Sequence, residues 1–434
     1  MTKPIERCRI CGNSHLIPII NLGEQYLTGI FPKTRERKIS SGPLELVKCM
    51  DLNGQEGCGL VQLRHSYDLG EMYGHDYGYR SGLNQSMVKH LHNKVQKIQQ
   101  AVTLEPGDLV IDIGSNDSTL LQGYSPNGLN LLGIDPTGVK FKDYYPAHIQ
   151  LIPDFFSART LKARVGEQKA KVITSISMFY DLESPLDFMR DVHESLADNG
   201  IWVFEQSYIP AMLQATAYDT ICHEHLEYYA LKQIKWMTDR VGLKITDIEF
   251  NDVNGGSFSV SAAKVGAPYP ESTSLIQRIL LAEEKIGLSG LKIYDKFRDS
   301  VERHRQQLVH FIARAKKAGK TVAGYGASTK GNVVLQYCGL STEDIPYIAE
   351  VNRDKFGCFT PGTLIPIIPE EEARVYKPDY FLVLPWHFRD SIIQREQALL
   401  ASGGKLCFPL PHLEVVFETI RSREPFSGPE AEQV

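Results

Sequence analysis

The apolar run Leu109–Ile113 breaks at Gly114 into the polar turn Ser115-Asn116-Asp117, and a second apolar run, Leu131–Ile134, ends at Asp135. A short apolar run that stops at a glycine reads as a buried strand entering a tight turn, because glycine accepts backbone conformations that a Cβ forbids. The pattern continues: Lys171–Ile176 and Gly200–Phe204 read as strands, and Thr119–Tyr124, Ser157–Val165 and Pro185–Ala197 as helices. Strands alternating with helices imply a parallel sheet covered on both faces. The fold class expected is therefore α/β, with ligands at the C-terminal ends of the strands.

Around this core the chain carries further periodic segments. Leu83, Met87, Leu91, Val95 and Ile98 recur at helical spacing before it. After it, Lys244–Asn251 and Ser257–Lys264 flank Asn254-Gly255-Gly256 and read as an antiparallel hairpin. Residues 274–318 read as long charged helices. A second α/β series follows, with strands at Thr321–Tyr325, Tyr347–Glu350 and Tyr380–Leu384, a loop at Gly326–Gly331 and a helix at Asn332–Cys338. The polar tail after Arg421 reads as frayed. A chain of 434 residues suggests about three units, expected at 1–75, 76–268 and 269–434.

A net charge of −5 excludes the basic field that a general nucleic-acid or membrane-surface binder needs. No apolar run approaches the roughly 20 residues that span a bilayer. The opening MTKPIERCRICG lacks a signal-peptide apolar region, so a reducing cytoplasm is the expected location. There, Cys8, Cys11, Cys49 and Cys58, crowded into the first 58 residues, speak for metal rather than disulfides.

The Gly114 turn constrains the cofactor. Gly114 to Asp135 is a spacing that suits any nucleoside-containing cofactor, NAD included. Asn116 and Thr119, however, stand where the dinucleotide pattern G-x-G-x-x-G needs glycine, so a pyrophosphate cradle is not expected. A turn with one glycine and acidic neighbours suits a cationic sulfonium better than a dianion. Asp112 is placed to hold an ammonium, and Asp135, followed by Pro136, to accept both hydroxyls of a ribose. Asn116, Asp117 and Ser177 lie at the same strand edge, and Asp154-Phe155-Phe156 offers an acid and an aromatic wall for adenine.

With these elements the sequence resembles class I S-adenosylmethionine-dependent methyltransferases, and more narrowly the sugar C-methyltransferases that branch nucleotide-linked deoxysugars. The resemblance rests on the four early cysteines, Tyr77-Gly78-Tyr79-Arg80-Ser81, the Ile111–Asp117 turn, His223-Glu224-His225, Asn254-Gly255-Gly256-Ser257, Gly324–Gly331 and Pro361-Gly362-Thr363. It implies an N-terminal zinc-binding module, a central Rossmann-like methyltransferase domain and a second, C-terminal Rossmann-like domain.

Cys8 and Cys11 fit a zinc knuckle, with Gly12 permitting the sharp turn, whereas Cys49 and Cys58 are more widely spaced. The resemblance supports all four as ligands of a structural zinc; His15 and His65 are substitutes, and free buried thiols the alternative.

His225 reads as a general base, with Glu224 orienting it or touching substrate; the two histidines are too close in sequence for an H-E-x-x-H zinc motif. Methylation at carbon requires loss of a proton next to a ketone, which suits histidine, and a donor for the developing oxyanion, for which Tyr77, Tyr79 and His223 are candidates. Two positions depart from the family pattern: Asp181 where a histidine is common, and Cys222 where a tyrosine is common. Both point to a different acceptor or a different methylated atom.

In the C-terminal half, the backbone of Gly324–Gly331 can hold a phosphate, with Ser328 in the turn and Lys330 as a point charge. By resemblance it helps to bind the diphosphate of a sugar nucleotide, with Glu350, Asn352 and Lys355 toward ribose or base, Trp386 stacking on the base, and Asn254 and Gly255 also toward substrate. The alternative is a degenerate Rossmann unit kept for shape or dimerisation.

Three readings result: a C-methyltransferase acting on a nucleotide-linked keto-deoxysugar, an O- or N-methyltransferase on a related small molecule, and an NAD(P)-binding oxidoreductase or sensor. A nucleic-acid module is a fourth, disfavoured by the absence of basic clusters.

Overall fold

The computed structural model describes residues 3–51, 56–73 and 79–417. They form two compact units. The first contains residues up to Ile19, Leu46–Ala211 and Glu224–Leu291; the second contains Ile20–Glu45, Met212–His223 and the chain from Lys292 onward.

The first unit is built on a seven-stranded sheet. Its strands in chain order are β1 (Leu109–Ile113), β2 (Asn130–Ile134), β3 (Ile149–Ile152), β4 (Ala170–Ile176), β5 (Leu196–Ser207), β6 (Leu243–Asn251) and β7 (Ser257–Lys264). Across the sheet they run β6-β7-β5-β4-β1-β2-β3. β1 pairs in parallel with both β2 and β4, while β7 is antiparallel to its neighbours. This is the class I methyltransferase arrangement of the expected α/β fold, and its strand order reverses at β1, where ligands of open sheets bind.

Alternation along the strands divides the core into two layers. Ile111, Leu132, Trp202 and Phe204 belong to one apolar cluster, which includes Met189, Val192, Ile234 and Met237 of the helices Pro185–Ser195 and Leu231–Val241. Val110, Leu131, Ile201 and Val203 belong to the other, with Met87, Leu91, Val95 and Ile98 of helix Gln85–Ala101. Those helical residues are the stripe visible in the sequence, spaced to face one side. The deepest layer is aromatic: Trp202 stacks on Phe204 with centroids 3.9 Å apart and donates its indole N–H to Ser175 Oγ at 2.9 Å. Truncating such a side chain costs about 3–5 kcal/mol.

Two expectations differ. The segment after Gly114 is not a helix over Thr119–Tyr124 but a single turn at Leu121–Gly123, because Asn116 and Ser118 take left-handed backbone angles that delay helix entry. The N-terminal segment, where the sequence reading places no strand, contains the strands Leu16–Tyr26 and Ser41–Cys49. The alternating burial of Gly42, Leu44 and Leu46 marks the second of these as half-buried sheet.

The second unit has its own six-stranded sheet, ordered Ile367–Pro369, Ile348–Glu350, Val322–Tyr325, Tyr380–Val383, Leu406–Phe408 and Glu414–Val416. All pairings are parallel except the last. Helix Lys292–Lys317 buries Phe297, Val301, His304, Leu308 and Phe311, a helical stripe of apolar residues interrupted only by histidine. His304 is satisfied there by Tyr218 Oη at 3.2 Å and Pro409 O at 2.6 Å, and burial lowers its pKa to about 4. The arrangement is Rossmann-like, and its order reverses at Val322–Tyr325, just before Gly326.

Candidate active site

The zinc site is assembled by local turns. The Gly12 N–H donates to Cys8 O at 2.9 Å, and Gly12 has φ +72°, a conformation that folds Cys11 back toward Cys8. Strand Ser41–Cys49 delivers Cys49, and Cys58 precedes Val61–Leu63. The four Sγ atoms lie within 4.8 Å of one another, with Cys8–Cys58 and Cys11–Cys49 each at 3.5 Å. Tetrahedral zinc with bonds near 2.3 Å separates its sulfurs by about 3.8 Å, so the donor set fits zinc and is far from disulfide bonding. His15 is used elsewhere, with Nδ1 2.9 Å from Asp51 O.

The turn after β1 is organised by carboxylates. Gly114, at φ +74°, donates to Ile134 O at 2.8 Å, and a Cβ there would lie 3.0 Å from Met178 Cγ. Asp135 binds the turn directly: Oδ2 accepts from Asn116 N at 2.8 Å, and Oδ1 from Thr137 N and Oγ1, each at 2.6 Å. Pro136 lies between Asp135 and Thr137 in this loop. Asp112 Oδ1 accepts from Thr174 Oγ1 at 2.6 Å. Burial raises its carboxyl to about 7 against the Thr174 hydrogen bond, and Asp135 adds to the rise. Burial also raises Asp135, opposed by its own donors. Two enclosed acids raised in this way favour a cation beside them, as a sulfonium nucleoside provides.

The second motif folds over this turn. Asn116 Oδ1 accepts from Ser81 N at 3.0 Å, its Nδ2 donates to Tyr79 O at 3.3 Å, and Asp117 Oδ2 accepts from Gly82 N at 2.9 Å. Tyr79 is 47% exposed. Tyr77 lies outside the described residues. At the end of β3, Asp154 is exposed and Phe155 is 48% exposed, while Phe156 turns inward against Phe188. Ser177, at φ +56°, follows β4 and receives Asn254 Nδ2 at 3.4 Å, so the Asn254-Gly255 hairpin reaches the same edge.

The candidate catalytic cluster sits on the next turn. Met178 lies against Gly114, and the turn Phe179–Asp181 follows. Leu226 N donates to Tyr180 O at 2.8 Å, which brings the His225 ring edge-on to Tyr180 with centroids 4.3 Å apart. His225 is half-buried and Glu224 buried. Asp181 Oδ2 accepts from Tyr73 Oη at 2.9 Å, while Oδ1 is buried with no hydrogen-bond partner among the described residues. Burial raises the Asp181 carboxyl well above its ordinary range, Tyr73 opposes, and Glu224 adds to it. His223 is placed in the other unit, fully enclosed, with Nε2 3.4 Å from Gly42 O and its pKa lowered to about 4 by burial.

Sequence reasoning missed Tyr73, Tyr180 and a buried group around Glu205. Glu205 accepts from His90 Nε2 at 2.6 Å and Asn251 Nδ2 at 2.9 Å, and pairs with Lys94 at 3.0 Å. The only signal was chemical: a buried strand ending in Glu205 needs partners, and the His90/Lys94 face of the preceding helix could have supplied them.

In the second unit, Glu350 ties down the Gly326 turn. Its Oε2 accepts from Ala327 N at 2.7 Å, and Oε1 from Val351 N and Asn352 N at 2.7 and 2.8 Å. Lys355 Nζ donates to Ala327 O at 2.7 Å, Asn352 Oδ1 accepts from Asp354 N, and Ser328 Oγ caps helix Thr329–Tyr337 through Gly331 N. Burial lowers the Lys330 pKa, with Asp219 and Cys222 pulling it back up. The environment of Trp386 differs from the expected stacking position: it is 7% exposed and its indole N–H is spent on Asp219 Oδ2 at 2.7 Å, so the ring packs inside the unit.

Comparison with known proteins assigns this architecture. Residues 8–73 match a zinc binding domain, 87–248 a methyltransferase domain, and 252–411 the C-methyltransferase C-terminal domain. The C-methyltransferase NovU from Streptomyces niveus is 30% identical over 424 residues, 96% of this chain and 98% of that protein. The chain belongs to the C-methyltransferase family. It is an S-adenosylmethionine-dependent methyltransferase with a zinc-binding module, and the oxidoreductase reading falls away. Among solved structures, the CcbJ methyltransferase from Streptomyces caelestis is 13% identical with a TM-score of 0.32, covering 40% of this chain and 89% of that one. The magnesium protoporphyrin IX methyltransferase ChlM from Synechocystis PCC 6803, with bound SAM, is 12% identical with a TM-score of 0.32, covering 41% and 79%. Among the described residues, no helix is long and apolar enough to cross a membrane.

Proposed function

We propose that this family member methylates a carbon beside the ketone of a nucleotide-linked keto-deoxysugar. The observation that carries the reading is the short path from cofactor turn to base: Met178 packs on Gly114, and the turn it opens holds Tyr180 against His225 and Asp181 beside Glu224. S-adenosylmethionine supplies the electrophilic methyl. Asp112, Gly114, Asn116, Asp117, Asp135, Pro136, Asp154, Phe155 and Ser177 hold that donor. His225 removes the proton next to the ketone, oriented by Glu224, and the enolate carbon takes the methyl. Asp181, kept neutral by its surroundings, and Tyr79 donate hydrogen bonds to the developing oxyanion.

Ser328 and Lys330, with Asn352 and the backbone of Gly326–Gly331, take the diphosphate and ribose of the acceptor. Cys8, Cys11, Cys49 and Cys58 carry a structural zinc. The test is mass spectrometry of products made with labelled donor from a panel of nucleotide-linked 4-keto sugars. A label on sugar carbon supports the reading. A label on oxygen or nitrogen moves the enzyme to the O- or N-methylating alternative, which the Asp181 and Cys222 departures favour.

A further inference from the structure

Arg9 stands inside the zinc knuckle, between Cys8 and Cys11, yet its side chain points inward and is only 2% exposed. Its guanidinium donates to Leu63 O at 2.6 Å and Ser66 Oγ at 3.1 Å, fixing it to the strand that leaves the zinc module. Its Nε reaches Glu183 Oε2 at 3.2 Å and Glu227 Oε1 at 3.7 Å. Glu183 lies two residues after Asp181, which ends the turn Phe179–Asp181. Glu227 opens the short strand that follows His225, and that strand pairs with the zinc module, Glu227 opposite Gln62. Gln62 Oε1 in turn accepts from Arg9 N at 3.1 Å.

We propose that Arg9 is a positioning residue for methyl transfer, tying the zinc knuckle through Glu183 and Glu227 to the two segments that carry Asp181 and His225. The proposal rests on the reading of His225 as the base. The geometry explains why a structural metal belongs to a methyltransferase whose donor turn is remote from it in sequence. A planar guanidinium hydrogen-bonds Glu183, a backbone carbonyl and a hydroxyl at once while its charge faces Glu227, which lysine cannot reproduce. Cys8 and Cys11, on either side of Arg9, would fix its backbone once they hold zinc, and Arg9 would carry that rigidity to the base.

Arg9→Met alone removes the cation that opposes the burial-driven rise of the Glu227 carboxyl, together with the donors to Leu63 O and Ser66 Oγ, and risks unfolding. The informative variant is Arg9→Met with Glu227→Gln, compared with Glu227→Gln alone and His225→Ala. The double variant should keep full zinc content, a cooperative melting transition and the wild-type KM for S-adenosylmethionine. Its kcat should fall by at least about tenfold, as small misplacements of a reacting group do. Glu227→Gln alone, which keeps an acceptor oxygen facing Arg9, should stay within about threefold of wild type, and Arg9→Lys with Glu227→Gln should recover little, since charge without the fork does not restore the geometry.

Wild-type kcat in a zinc-loaded double variant overturns the proposal, as does a loss of kcat that tracks lost zinc or weakened donor binding. Turnover by His225→Ala overturns instead the reading of the base on which it rests.

Discussion

The two α/β units use one backbone device with opposite charge. In each, the strand order reverses at the first strand, a left-handed glycine follows it, and the acid ending the next strand accepts a hydrogen bond from the turn: Asp135 from Asn116 N, Glu350 from Ala327 N. Around the first turn lie Asp112 and Asp117, with Arg80 3.8 Å from Asp117; around the second lie Lys330 and Lys355, with Asp219 holding the Lys330 pKa up. Sheet topology thus gives each unit a turn at a strand-order reversal, and the proposed division of ligands between the two turns follows their charge. The acidic one suits a sulfonium and the basic one a phosphate.

The sharpest way to break this division is to fill each turn. Gly114→Val places a β-branched residue at φ +74° against Met178 and should weaken S-adenosylmethionine binding by about a hundredfold. Gly326→Val, at φ +79° against Pro385, should leave donor affinity within about twofold and raise the acceptor KM. Calorimetric titration of both variants with the donor checks the pair; equal losses would erase the division.

A pH titration sharpens it. Burial raises the Asp112 carboxyl to about 7, which favours its neutral form below that pH and its ionised form above it. A cationic donor prefers the ionised form. Its dissociation constant should therefore worsen by up to about tenfold per unit as pH falls below 7 and level off above it. Asp112→Asn should bind more weakly with a flat profile. Because the folded carboxyl binds its proton more tightly than the unfolded one, the donor-free protein should lose stability as pH rises between about 4 and 7, opposite in sign to the gain in donor affinity. The smallest effect is expected from Lys330→Met: a rise of several-fold, about 1 kcal/mol, in acceptor KM with donor affinity unchanged, read by steady-state kinetics.

Much of this was legible in the sequence because short-range rules govern it. β1 and β7 have the expected ends, the Asn254-Gly255-Gly256 hairpin forms, and the four cysteines converge. What was not legible depends on partners distant in the chain. Trp386 reads as an aromatic platform until Asp219 takes its N–H, and His223 looks like a twin of His225 until burial separates them. Arg9 and Tyr73 reveal themselves only through Glu183, Glu227 and Asp181, and no periodicity announces such contacts. The strands of the N-terminal segment escaped because proline and charge interrupt them, and pairing overrides that local preference.

Hydrogen–deuterium exchange with and without S-adenosylhomocysteine tests the division of ligands most directly. Protection should concentrate on the peptides covering Leu109–Ser118 and Ile134–Thr137 and leave Gly324–Gly331 unchanged. Protection of Gly324–Gly331 with none at Gly114 would contradict the assignment of the donor to the acidic turn.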